Sequence, residues 1–184
     1  MAGEAKQVSA VDIKQLWYTN PENITGDVTG AMVRTLLQTA LEVKNVHQDT
    51  WQLEEAEPSQ DSYKNQLTGS VYRMGAKQMG EVTANFTIGR YDYATKAALI
   101  GGTATGTSWK RARGLTDIKK CVIALTQDDQ YVVFPYMNIT ARESNADKAI
   151  GIAVKGTMLE PINVNVSPEY WFDASEVVVS GNND

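Results

Sequence analysis

From Glu81 to Gly89 the chain reads EVTANFTIG, and polar and apolar positions alternate without a break. Val82, Ala84, Phe86 and Ile88 point one way, while Glu81, Thr83, Asn85 and Thr87 point the other. A period of two is that of a half-buried β-strand. The period changes in the next stretch, RYDYATKAALIGG. There Asp92 is placed to cap a helix, Tyr93, Ala97 and Ile100 share a face, and Gly101 stands where a helix ends in left-handed backbone.

Further along, KKCVIALT reads as a buried strand, QDDQ as a turn and YVVFPYMNIT as its hairpin partner, with Pro135 implying an edge or a bulge. In AIGIAVKGTMLE, Ile150, Ile152 and Val154 alternate toward one face; in INVNV, Ile162, Val164 and Val166 do the same, with Pro161 as a breaker between them. NQLTGSVYRM, upstream, reads as another strand. TGAMVRTLLQTALEV fits two periods, a helical face through Val33, Leu36, Leu37, Ala40 and Leu41 or an alternation from Val33 to Val43. Its length favours a helix from about 30 to 41, capped by Thr29. The expected architecture is a mainly β single domain over 1–184 with two short helices, an N-terminal arm of about 1–12 and a frayed C-terminal tail of about 167–184, ending in SGNND.

A chain of 184 residues is long enough for one sizeable core. A formal charge of −5 argues against a surface built for nucleic acid as a whole, which needs a basic excess to displace counterions. The lone cysteine, Cys121, lies in the apolar run CVIAL and reads as a buried hydrophobe. The opening MAGEAKQVSAVDI has no apolar core of signal-peptide length, and no stretch has the length of apolar sequence that a membrane span needs. The expectation is a soluble protein that starts in a cytoplasm and has no membrane partner. The Asn-x-Thr sequons at Asn23, Asn85 and Asn138 are then chance matches.

Chemistry is sparse. GGTATGTSWKRARG approaches a phosphate-binding loop, with Gly101 and Gly106 correctly spaced and Ser108 supplying a hydroxyl, but Thr107 stands in the lysine's place. The stretch also follows a predicted helix, whereas a phosphate loop leaves a strand and opens one. The only histidine, His47, has Asp49 two residues away on the same side of a strand, yet no nucleophile turn accompanies it. One Cys and one His make no zinc site, and no calcium loop is present. No catalytic, cofactor-binding or metal-ligating residue is assigned, and no enzyme is expected.

Charge is unevenly placed. DTWQLEEAEPSQD, residues 49–61, holds five acids (Asp49, Glu54, Glu55, Glu57, Asp61) and no base. KRARGLTDIKK, residues 110–120, holds five bases (Lys110, Arg111, Arg113, Lys119, Lys120) and one acid. Opposite strips on one molecule suit self-complementary assembly, and they equally suit two solvated faces.

Taken in order, an early strand leading through TWQLEEAEPSQDSYKN into an extended acidic loop, the strand EVTANFTIG, the helix DYATKAALIGG, and the hairpin closing with GIAVKGTMLEPI resemble phage tail tube (major tail) proteins. The resemblance spans about residues 30–166. It implies a β-sandwich or barrel flanked by a helix, six-membered rings stacked into a tube that carries DNA during ejection, and no active site. It further implies a virion protein made in a bacterial host's cytoplasm, with itself and other tail proteins as partners and DNA as non-specific cargo. The acidic and basic residues named above, with Trp51, become candidates for subunit contacts, and Glu81, Thr83, Asn85 and Thr87 candidates for the lumen wall. On the same view 101–114 is a flexible connection with its cations aimed at a neighbour, and about 44–66 orders only on stacking. The tubes of type VI and other contractile injection systems share these expectations. The competing reading is a secreted or surface carbohydrate-binding β-sandwich stacking sugars on Trp51, Trp109, Tyr136 or Trp171.

Overall fold

The computed structural model of the chain describes residues 7–177. In chain order it forms β1 (Ile13–Thr19), α1 (Gly30–Leu37), β2 (Leu41–Glu42), β3 (Gln52–Glu55), β4 (Ser59–Lys64), β5 (Val71–Gln78), β6 (Val82–Ile88), α2 (Tyr93–Ile100), β7 (Thr103–Ala104), β8 (Trp109–Lys110), β9 (Ile118–Thr126), β10 (Gln130–Ala146), β11 (Ala149–Met158), β12 (Tyr170–Asp173) and α3 (Ala174–Val177). The main sheet runs β2-β1-β9-β10-β11-β6-β3, antiparallel throughout, and β12 pairs with the first residues of β10. β2 and β3 end the path without meeting, so the fold is mainly β with short helices and is not a closed barrel. β4–β5 and β7–β8 are separate two-stranded ribbons.

Alternation along the strands sends apolar side chains to both faces of the sheet. On the inner face Leu16, Val122 and Phe134 join Phe86, Ile88 and Ile152 in one core, which α2 enters with Leu99. On the other face Trp17, Cys121, Ile123 and Val133 meet Val33 and Leu36 of α1 and Val177 of α3. β9 and the first half of β10 are therefore covered twice, which is why CVIAL and YVVF read as unbroken apolar runs. β6 is covered once, and its strict alternation records that.

The helices begin where their caps predict. Thr29 Oγ1 accepts from the Met32 amide at 3.3 Å, and an Asp92 carboxylate oxygen accepts from the Thr95 amide at 2.7 Å. Gly30 is required by closeness, since a Cβ there would lie 2.3 Å from the Glu176 carbonyl oxygen of α3. Gly101 ends α2 at φ +89°, a conformation that L side chains resist. Pro135 does mark a bulge: the β9–β10 register shifts between Phe134 and Met137.

Five expectations need correction. The first helix stops at Leu37, because Leu41 and Glu42 pair with Tyr18 and Trp17 of β1 instead. In α2 the buried positions are Lys96 and Leu99, and Tyr93 is exposed; a paired lysine has taken an inward position that periodicity reserves for apolar residues. Ile150 is exposed because the β10–β11 hairpin runs past the end of the core. INVNV is a turn, held by the Val166 amide on the Asn163 carbonyl, and only Val166 of its three apolar residues is buried. The tail does not fray from 167: Tyr170–Asp173 bond to Val133–Gln130, and α3 packs on α1, while 178–184 and 1–6 lie outside the described residues.

Candidate assembly surfaces

β6 presents Thr83, Asn85 and Thr87 on the face turned away from the core. Cross-strand register sets beside them Gln52 and Glu54 of β3 and Ala153, Lys155 and Thr157 of β11. Asn138 and Lys119 continue the row across β10 and β9. The three β6 residues are half-buried by these neighbours and carry no charge themselves. Glu81, just before the strand, is exposed and pairs with Lys155 at 3.0 Å. The face is thus polar, with several of its charges already matched.

The acidic stretch is not a loop. Asp49 sits in a turn at φ +60°, Trp51 packs on Phe86 with ring centroids 6.2 Å apart, and Glu54 and Glu55 lie on β3, the free edge of the sheet. A charged edge resists pairing with its own like. Glu57 follows, and Asp61 lies on β4, where a hairpin arm begins. β4 and β5 pair only with each other, and this arm leaves Tyr63, Leu67, Val71, Tyr72 and Met74 exposed, Leu67 to 94% and Tyr72 to 68%. Of NQLTGSVYRM, read above as one strand, only 71–74 is strand, in β5; 65–70 form the turn of the arm, and β4 lies in the stretch expected to be an acidic loop. The signal for the turn was the chemistry of NQLTGS, where the Asn65 side chain accepts from the Leu67 amide at 2.8 Å and Gly69 takes φ +72°.

The basic stretch does not act as one strip. Lys119 and Lys120 are neighbours on β9 and so face opposite sides of the sheet. Lys119 is bonded to Asp117 and, at 2.8 Å, to Asn138. Lys120 donates to Asn20 at 2.7 Å, and burial pulls its ammonium below the usual lysine range. Arg111 pairs with Glu143 at 3.0 Å and lies over Trp109. Among the described residues Lys110, Arg113 and Lys120 have no ion pair, and of these three only Lys120 is held by a side-chain hydrogen bond, to the neutral Asn20 amide.

Nor is 101–114 a loose connection. Trp109 donates its indole N–H to the Gly101 carbonyl at 3.0 Å, and its ring lies 4.3 Å from Lys96 Nζ. Lys96, its side chain 11% exposed, bonds Glu143 Oε1 at 2.5 Å. Glu143 thereby bridges Lys96 and Arg111. The hydrogen bond from Lys96, with the charges of Lys96 and Arg111, holds its carboxyl below the ordinary carboxylate value. No local pattern announces this cluster, whose members come from α2, β8 and its flank, and β10.

His47 finds its partner across the fold, in Asp147 at 3.1 Å, and not in Asp49. Cys121 is fully buried, and burial pushes its thiol up to about 12. The four candidate sugar platforms are engaged separately: Trp51 on Phe86, Trp109 in the Lys96 cluster, Trp171 donating to Glu169 at 2.5 Å, and Tyr136 in a groove with Pro21, Pro135 and Pro161. Among the described residues no group of His, Cys, Asp and Glu is arranged to hold a metal ion, and no helix is long and apolar enough to cross a membrane. The chain matches no protein-family model and no curated protein.

Proposed function

We propose that this protein is a self-assembling structural subunit of the tail tube kind, stacking as rings around a conduit for DNA. The observation that carries this reading is the β4–β5 arm, a ribbon with an apolar surface that none of the described residues covers. Isolated two-stranded hairpins are marginal in water, and exposed apolar residues of this size favour burial against another surface. The outward side of β6 supports the same reading, as a polar face suited to a wall along which phosphates slide. Other tail proteins are the further partners, and the virion tail is the place of action.

Sedimentation velocity and negative-stain microscopy over a rising concentration series test the proposal. Rings or tubes are expected. A compact monomer at the highest soluble concentration would overturn it, and sugar-dependent spectral change at a tryptophan would favour the carbohydrate-binding alternative.

A further inference from the structure

At the root of the β4–β5 arm lies a groove of about 720 Å³, walled by Met79, Leu159, Pro161 and Val164. Val164 is 92% exposed. The rim carries Asp27, Glu81 and Glu160, and among the described residues no lysine or arginine lines it. Glu81 is paired with Lys155 and Asp27 accepts from Tyr170 at 2.6 Å, which leaves Glu160 without a partner among the described residues.

The arm has the opposite character. Residues 59–78 carry Lys64, Arg73 and Lys77 against the single acid Asp61, and its exposed apolar residues have no cover among the described residues. We infer that this groove receives the β4–β5 arm of a second copy of the chain, an inference that rests on the self-assembly reading and names the surfaces through which it acts. Apolar tip residues fill the groove, and the arm's cations meet its acidic rim.

An arm cannot fill its own groove. Met79 directly follows β5, so the groove sits at the arm's base, whereas Leu67 lies at the tip, an eight-residue strand away. At ~3.4 Å per residue that separation is about 27 Å. Donor and acceptor are therefore different surfaces of each copy, an arrangement that serves a reciprocal pair or a head-to-tail repeat, and the stack proposed above uses the repeat.

The test uses the full chain. Leu67→Asp with Tyr72→Asp, both fully on the arm, should raise the concentration at half assembly by about tenfold or more. Arg73→Glu and Glu160→Lys should each impair assembly, and the two in one chain should recover it. Far-UV circular dichroism checks that each variant keeps the fold. As an independent readout, Tyr72→Cys protein mixed with Val164→Cys protein should form a disulfide between chains under mild oxidant, because Cys121 is too buried to compete. If wild-type protein assembles while every variant assembles equally well and no cross-link forms, the docking inference falls and the self-assembly reading stands. A freely reactive Val164→Cys thiol in finished assemblies would likewise overturn the docking. A wild-type protein that stays monomeric overturns both.

Discussion

The ammonium of Lys96 lies 4.3 Å from the ring centroid of Trp109, joining α2 to β8 across a loop that composition alone would leave free. A nearly buried lysine needs its charge answered, and here an aromatic face and Glu143 answer it together. The same carboxylate holds Arg111, so one acid fixes both the helix and the loop after it.

Glu143→Gln keeps the shape and removes the charge. It should lower unfolding free energy by about 1–2 kcal/mol, less than a fully buried pair would because Glu143 is partly exposed. Chemical denaturation measures that loss, and trypsin cleavage after Arg111 and Arg113 should accelerate well beyond the stability loss. Unchanged cleavage would show that the loop is held without Glu143.

Acid should release the same cluster. The Glu143 carboxyl is depressed in the folded state, so its contribution is fully present above the ordinary value of 4.5 and is lost as pH falls through the lower folded value. Protection factors of 101–114, with the intrinsic pH dependence of amide exchange divided out, should therefore be flat above the ordinary carboxylate value and fall relative to the core as pH drops below it. A wild-type profile identical to that of Glu143→Gln would remove the assignment.

Charge reversal at Lys110 and Arg113 together should leave stability within about 0.5 kcal/mol and impair assembly, since both are exposed and neither has an ion pair among the described residues. Arg111 is left alone because replacing it would also disturb Glu143. Sedimentation of the double variant decides the matter, and wild-type assembly would mean that the basic residues face solvent.

Duplex DNA should bind the soluble subunit hardly at all at physiological salt, because Lys119, Lys120 and Arg111 are committed within the chain. Fluorescence anisotropy at low and moderate salt measures this. Micromolar affinity that falls steeply with salt would identify a phosphate-binding surface and displace the conduit reading.

Cys121 should resist thiol reagents in the folded protein and react fully in denaturant, because its thiolate is suppressed by burial between the sheet and α1. Cys121→Ser should cost about 1–3 kcal/mol by placing a hydroxyl where the apolar core offers no partner.

The sequence by itself determined what depends on neighbours along the chain. Period two set β6 and its inward residues, Thr29 and Asp92 set the helix starts, Gly101 set a helix end, and Pro135 set the bulge of β10. Tertiary structure decided everything that joins distant segments. Lys96 is 47 positions from Glu143, and His47 is 100 from Asp147, so neither pair leaves a local pattern. Packing also overruled local preference: pairing with β1 took Leu41 from the helix, and pairing with β10 took Tyr170–Asp173 from the tail. Of the exposed arm only the strand at 71–74 was legible, since a ribbon whose residues are nearly all exposed has no buried side for alternation to record.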